Sequence, residues 1–144
     1  MKQSHLMQLI FKAPTDQEFQ QICNYIHEFE LDDRSLMKHQ FTAAFHDEEL
    51  VGFGRFRNHS DCTELCSLGV ITQHRRQGIG KSIVSELIHN ATHNLYLVCI
   101  IPEFFSPFGF TIVNQYPAPI KDKLHYCINN LVVPETYVVM QLKK

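Results

Sequence analysis

The sequence predicts an α/β layered domain, a mixed sheet of about six to seven strands flanked by helices. Three observations carry that expectation. Short β-branched and aromatic runs alternate with amphipathic helical segments. Two of the runs face each other across the turn Asp47-Glu48-Glu49, a hairpin signal that requires antiparallel pairing. A Gly-rich turn, RRQGIGKS, joins an apolar strand to a helix.

Leu6 to Phe11 reads as the first strand. Pro14-Thr15 then opens a helix, with Thr15 and Glu18 spaced for a capping box and Phe19, Ile22, Cys23 and Ile26 at helical intervals. Leu31 to His39 reads as a second short helix with Asp32 or Asp33 near its start. Gln40 to His46 and Leu50 to Arg57 are the hairpin strands, residues 58–61 a loop, and Cys62 to Ile71 a further strand. A helix follows from about Gly80 to His93, with Ile83, Val84, Leu87, Ile88 and Ala91 on one apolar face. Leu95 to Ile101 suits a buried strand, and Pro102 to Phe108 a single helical turn. Phe110 to Val113 and Thr136 to Leu142 read as closing strands around a helix at Ile120 to Asn129.

The chain has 144 residues, which suits one domain spanning 1–144. Hydrophobic residues make up 44%, enough for a packed core and against disorder. A formal charge of −2 argues against nucleic acid as a partner. No apolar run approaches the ~20 residues that span a bilayer, so no membrane partner is expected. Five cysteines with no CxxC, and no signal-peptide pattern at the start, read as reduced thiols in a cytoplasmic protein. A homodimer stays open.

The turn from Arg75 to Ser82 invites two phosphate readings. The ATPase loop needs G-x-x-x-x-G-K-[ST], and Gly80, Lys81 and Ser82 supply its end. Its first glycine falls on Arg75, which removes the residue that lets the loop wrap a phosphate. Read instead from Arg75, the stretch is R-x-x-G-x-G. Gly78 and Gly80 permit a tight turn with successive N–H groups exposed, the following helix adds its positive dipole end, and Arg75, Arg76 and Lys81 add charge. This makes a diphosphate cradle that needs no metal. A plain strand-to-helix turn with solvated basic residues is the alternative.

The block TELCSLGVITQHRRQGIGKSIVSELI, Thr63 to Ile88, resembles the GCN5-related N-acetyltransferase (GNAT) superfamily, whose signature is Q/R-x-x-G-x-G/A between an apolar strand and an amphipathic helix. NLYLVCI resembles the family's fifth strand, FFSPFGF its late aromatic-x-x-x-Gly-Phe segment, and VGFGRFR the strand before the motif. YPAPIKDKLHYC followed by YVVMQL resembles the C-terminal layout of N-acetylglutamate synthase-like members, which act on amino acids or similar small amines.

The resemblance implies acetyl-CoA in a cleft between splayed central strands. The diphosphate would lie on the N–H groups of Gln77, Gly78, Ile79, Gly80 and Lys81, with Arg75, Arg76 and Ser82 around it. The pantetheine arm would pair with Leu68, Gly69 and Val70. It also implies Glu64 as general base toward a small primary amine, and a main-chain N–H near Leu68 or Gly69 as oxyanion donor. Many members place a tyrosine acid where this chain has Phe105; Ser106, Tyr96, Tyr116 or water would have to serve instead. A protein lysine or N-terminal acetyltransferase, and a non-catalytic CoA sensor, remain the competing readings.

Other groups have plainer explanations. His59, Cys62 and Cys66 are spaced for zinc but lack an evident fourth ligand. His89 and His93 fall i, i+4 on the expected helix without an HExxH context. His74 precedes the cradle and is as readily a solvated side chain. Phe104, Phe105, Phe108 and Phe110 line an acceptor pocket or fill the core. Asp32, Asp33 and the acidic hairpin turn attract a cationic amine or sit in water.

Overall fold

The computed structural model describes residues 8–144; the start of the first expected strand, Leu6 and Met7, lies outside them. The strands are β1 (Ile10–Lys12), β2 (Phe41–His46), β3 (Glu49–Asn58), β4 (Thr63–Val70), β5 (Leu95–Cys99), β6 (Thr111–Ile112) and β7 (Val138–Leu142). The helices are α1 (Asp16–Glu28), α2 (Ile79–Asn90), α3 (Pro102–Phe105) and α4 (Ala118–Asn130). One seven-stranded sheet runs in the order β1-β2-β3-β4-β5-β7-β6. Every pairing is antiparallel except β4 with β5.

Local chemistry sets most boundaries. Thr15 Oγ1 accepts from the Glu18 N–H at 3.2 Å and Glu18 accepts from the Thr15 N–H at 2.9 Å, the capping box that starts α1. Asp47 and Glu48 take left-handed φ values of 49° and 67°, the geometry that closes a two-residue hairpin. One face of the sheet buries Ile22 and Ile26 of α1 against Phe41, Phe45 and Phe53. Ile79, Ile83 and Leu87 of α2 pack on Val51 and Leu65. Leu95, Leu97, Phe105, Phe110 and Met140 form the core of the C-terminal half.

The expected helix over Leu31–His39 does not form. Asp32 Oδ1 instead accepts from the Arg34 N–H at 2.9 Å, and Ser35 turns left-handed at φ 53°. The carbonyls of Asp32, Arg34 and Ser35 accept from the Arg55 guanidinium at 3.1–3.4 Å, so they are taken by a side chain rather than by a helix ladder. Only a short 3₁₀ turn, Lys38–Gln40, remains. The motif helix also ends earlier than expected, at Asn90, which puts His93 beyond it and separates it from His89.

Two features of β4 place the site. Cys66 pairs with Arg55 and Gly69 with Phe53, so β4 carries one extra residue there. This bulge includes Ser67, at φ 52°. Ser67 Oγ donates to the Asp32 carbonyl at 2.9 Å and accepts from Arg55 Nε at 2.8 Å, which holds a conformation costing about 1–2 kcal/mol for a non-glycine residue. Beyond the bulge β4 and β5 diverge, pairing only at Thr63–Leu95 and Glu64–Tyr96.

α2 reaches this strand because β3 offers it no side chain at Gly52. A Cβ there would lie 2.6 Å from Ile83 Cδ1 and 3.0 Å from the Gly69 carbonyl oxygen. Gly52→Ala is expected to cost about 1–3 kcal/mol, read as a lower urea midpoint with an unchanged m-value.

Candidate functional site

The turn between β4 and α2 has the shape the sequence predicts. Gly78 caps the helix at φ 80°, and Arg76 is left-handed at φ 67°. The first intrahelical bond is Ser82 N–H to the Gly78 carbonyl at 3.1 Å. The N–H groups of Ile79, Gly80 and Lys81 precede it, in the position where helix donors find no partner within their own helix. A Cβ built on Gly78 would meet nothing within 4 Å, so the turn faces open space.

A groove of about 640 Å³ runs from this turn along β4, lined by Leu68, Gly69, Val70, Arg75, Arg76, Gly78, Ile79, Gly80 and Lys81, with Phe29, Leu31, Ile101 and Phe104 opposite. Arg75 is anchored within it, its Nε donating to the Val70 carbonyl at 2.9 Å and its guanidinium 4.6 Å from the Phe29 ring centre.

The groove continues into a cavity of about 350 Å³ between the diverging strands. Phe29, Leu31, Leu68 and Ile101 line both spaces. The cavity wall is largely apolar, with Phe105, Val98, Leu131 and Val133 among its side chains. Asp32 and Lys123 are also on it.

A buried ionic chain lies beneath. Lys123 Nζ, on α4, lies 2.8 Å from Asp32 Oδ2 and 3.0 Å from Glu64 Oε2. Glu64 Oε1 is 3.0 Å from His59 Nε2. Arg34 grips Asp32 with Nε and Nη2 at 3.1 Å each, and Arg55 and Arg57 stand 3.9 Å from the same carboxylate. The cluster therefore sets two acids against four fixed bases, with Asp32, Glu64, Arg55 and Lys123 all buried. Arg55 uses its five N–H groups on Ser67, Ser35, Gln40, Asp32 and Arg34.

Burial would push both carboxyls up, but their partners win. Hydrogen bonds from Arg34 and the charge of Lys123 hold Asp32 well below the usual carboxylate range. The Lys123 charge and the His59 hydrogen bond hold Glu64 down. Burial alone would lower Lys123, yet the neighbouring Cys66, Glu64 and Asp32 keep it above the ordinary lysine value. One atom is left incomplete. Glu64 Oε2 is ion-paired with Lys123 but accepts no aligned hydrogen bond, the single such buried side-chain atom among the described residues.

The structure thus brings Leu68, Gly69, Val70, Arg75, Arg76, Gly78, Ile79, Gly80 and Lys81 together on one groove, whereas the expected Gln77 and Ser82 do not line it. Glu64 lies at the vertex of the strand divergence and is completely buried. Phe105 and Phe110 are core, while Phe104 faces the groove. The zinc spacing dissolves, because His59 turns to Glu64 and Cys66 is enclosed. Asp32, Glu64 and Cys66 offer three metal-ligand atoms within 4.8 Å, but the Lys123 ammonium already lies between the two carboxylates. Burial pushes the Cys62, Cys66 and Cys99 thiols up to about 11, far from nucleophilic thiolates. His74 sits 3.4 Å from Glu49 rather than on the cradle.

Sequence reasoning missed Lys123 and Arg55. Both left a trace. Lys123 shares the buried helix face of Ile120 and Cys127, and Arg55 follows Phe53 at the two-residue interval of the inward face.

A groove that ends on exposed helix-start amides and opens between splayed strands offers main-chain donors to an extended anion. The chain belongs to the acetyltransferase (GNAT) family, whose profile matches residues 5–110. Membership bears out the acetyltransferase family expected from the sequence. No curated protein sequence matches the chain.

Several solved structures share the fold. N-acetylglutamate synthase from Neisseria gonorrhoeae, complexed with coenzyme A and N-acetyl-glutamate, superposes with a TM-score of 0.72 at 15% identity, over 99% of this chain and 36% of that one. The chain thus spans about a third of that enzyme's length. Rv2747 from Mycobacterium tuberculosis, solved with CoA, gives 0.73 at 18% identity, over 94% and 99%. The ribosomal-protein-S18-alanine N-acetyltransferase from Escherichia coli gives 0.64 at 13% identity, over 94% of each chain. No described helix is long and apolar enough to cross a membrane.

The ionic chain predicts how stability varies with pH. The fold favours the ionised forms of Asp32 and Glu64, whose ordinary values are 3.8 and 4.5. Their contribution is complete above about pH 4.5 and is lost as pH falls through the lowered values. Asp32→Asn leaves Lys123 and Arg34 facing a neutral amide; it is expected to cost about 3–5 kcal/mol at pH 7 and to flatten the acid limb of a urea stability profile.

Proposed function

We propose that this domain is an acetyl-CoA-dependent N-acetyltransferase that acts on a small primary amine, with amino acids among its acceptors. One observation carries the reading. The glycine turn, the open edge of β4 and the cavity walled in part by buried charges form one continuous path through shared residues.

Coenzyme A would bring an acetyl group activated as a thioester. Gln77 to Lys81 present main-chain donors to its diphosphate, with Arg75, Arg76 and Ser82 adding charge and a hydroxyl around the turn. Leu68, Gly69 and Val70 present strand-edge groups to its amide-bearing arm, since β5 has diverged from them. A fixed N–H at Leu68 or Gly69 suits the oxygen on which negative charge builds.

The acceptor must arrive as a free amine, since only that form attacks. Glu64 is our candidate base, acting through water, because its Oε2 retains a lone pair with no aligned donor. It is held below the ordinary value of 4.5 and so stands ionised at neutral pH. The amine's own pKa, roughly 8 for an α-amine, then controls the rate. The apolar walls favour an acceptor with an apolar body, and the 350 Å³ volume favours a small one.

Three expectations test the reading. Saturating acetyl-CoA should raise the melting temperature and release thiol with some member of a broad amine panel. Free amino acids should outperform peptides; the reverse order would move the acceptor to a protein terminus or lysine. Gly78→Glu, which thrusts a carboxylate into the cradle, should abolish coenzyme A binding by calorimetry.

Glu64→Gln should lower kcat by about 10²–10⁴ while leaving coenzyme A affinity in place. In the intact enzyme kcat/KM should climb with pH through the amine's pKa, with no Glu64 limb above pH 4.5. Coenzyme A binding without turnover, unaffected by Glu64→Gln, would make the domain a sensor.

A further inference from the structure

The aromatic segment after β5 supplies no proton donor where the thiol must leave. Phe105 is core, and the hydroxyl beside it, Ser106 Oγ, donates to the Pro102 carbonyl at 2.9 Å. A sulfur leaving from a thioester against largely apolar walls still needs its charge met. The one cationic side chain among the described residues on the cavity wall, Lys123, comes from a different element, α4.

Lys123 lines the cavity together with Ser67, Leu68 and Phe105, and Leu68 is one of the four residues shared by cavity and groove. Its side chain is 5% exposed. Its ammonium has three N–H groups. Asp32 Oδ2 accepts one at 2.8 Å, and Glu64 Oε2, at 3.0 Å, takes none in an aligned bond. Hydrogen-bonding capacity is therefore left over on a buried cation at the cavity wall. The surrounding charge adds to it: Arg34, Arg55 and Arg57 already neutralise Asp32, so the cluster has a positive excess.

We propose that Lys123 stabilises the departing coenzyme A thiolate by charge and by a hydrogen bond, filling the role left vacant at Phe105. This rests on the coenzyme A reading above. The amine lone pair forms the new N–C bond, and the C–S bond breaks with its electron pair going to sulfur. The proton lost by the acceptor ammonium leaves earlier, through water and Glu64, and the second proton, shed by the nitrogen once the N–C bond has formed, passes to water. Lys123 keeps all three of its protons, and the thiolate takes one from solvent on release.

The test reads binding rather than turnover. Coenzyme A and desulfo-coenzyme A are titrated by calorimetry at steps between pH 6.5 and 9. Desulfo-coenzyme A cancels the titration of every protein group near Lys123: Asp32 and Arg34 from the loop after α1, Arg55 and Arg57 on β3, His59 at the β3–β4 turn, Glu64 and Cys66 on β4, Tyr126 and Cys127 on α4, and Tyr137 before β7. A stabilised thiolate makes the affinity ratio favour coenzyme A increasingly as pH rises, by about tenfold for each unit by which the bound thiol is lowered.

We expect at least a tenfold rise in the wild type, retained in Lys123→Arg and absent in Lys123→Met. A flat ratio in the wild type overturns the proposal whether or not Lys123→Met folds. So does a rise that survives Lys123→Met, or a Lys123→Met whose only change is a higher acceptor KM, which would assign the ammonium to the acceptor. Failure of both ligands to bind would instead overturn the coenzyme A reading.

Discussion

β4 and β5 are held together by two residue pairs, Thr63–Leu95 and Glu64–Tyr96, and by nothing further along the strands. Everything functional in this domain follows from that limited contact. A parallel pair that stayed in register would satisfy its own main-chain groups and leave no opening. The extra residue at Ser67 turns β4 away, and the polar lock of Arg55, Ser67 and the Asp32 carbonyl keeps it turned. The result is a strand edge open on one side, a cavity behind it, and a helix start at its end.

The same lock explains why the centre of the molecule is so heavily charged. Arg55 reaches from β3 to hold the loop after α1, and that loop carries Asp32, which holds Lys123 of α4. Three parts of the chain distant in sequence are thereby fixed around one cavity. Buried ion pairs contribute little net stability against an apolar alternative. Their value here lies in register and in the field they set up at the cavity wall, where a neutral core would provide neither.

The glycine turn, the motif helix, the hairpin and the strand sequence were legible because each rests on local rules: capping, two-residue alternation, helical spacing, and the backbone freedom of Gly78. The charged centre was not legible in the same way. Lys123 is 91 residues from Asp32, and no local pattern announces that pair. What the sequence did contain was a pair of misfits, a lysine on the apolar face of α4 and an arginine on the inward side of β3. Such misfits mark buried networks without naming the partner. The failed helix at Leu31–His39 has the same origin. Its residues have adequate helical propensity, but their carbonyls were claimed by Arg55 from another strand, and a tertiary demand of that kind overrides a weak local preference.

The central claim is that main-chain amides at the start of α2, opposite an unpaired stretch of β4, grip the diphosphate and arm of coenzyme A without metal. Titrating the full chain with acetyl-CoA in the presence of a chelator, while following amide proton shifts by NMR, tests it most directly. The account predicts saturable one-to-one binding with the largest shifts at residues 68–70 and 77–82. Saturable binding that leaves those amides unmoved, or no binding until magnesium is added, would contradict it.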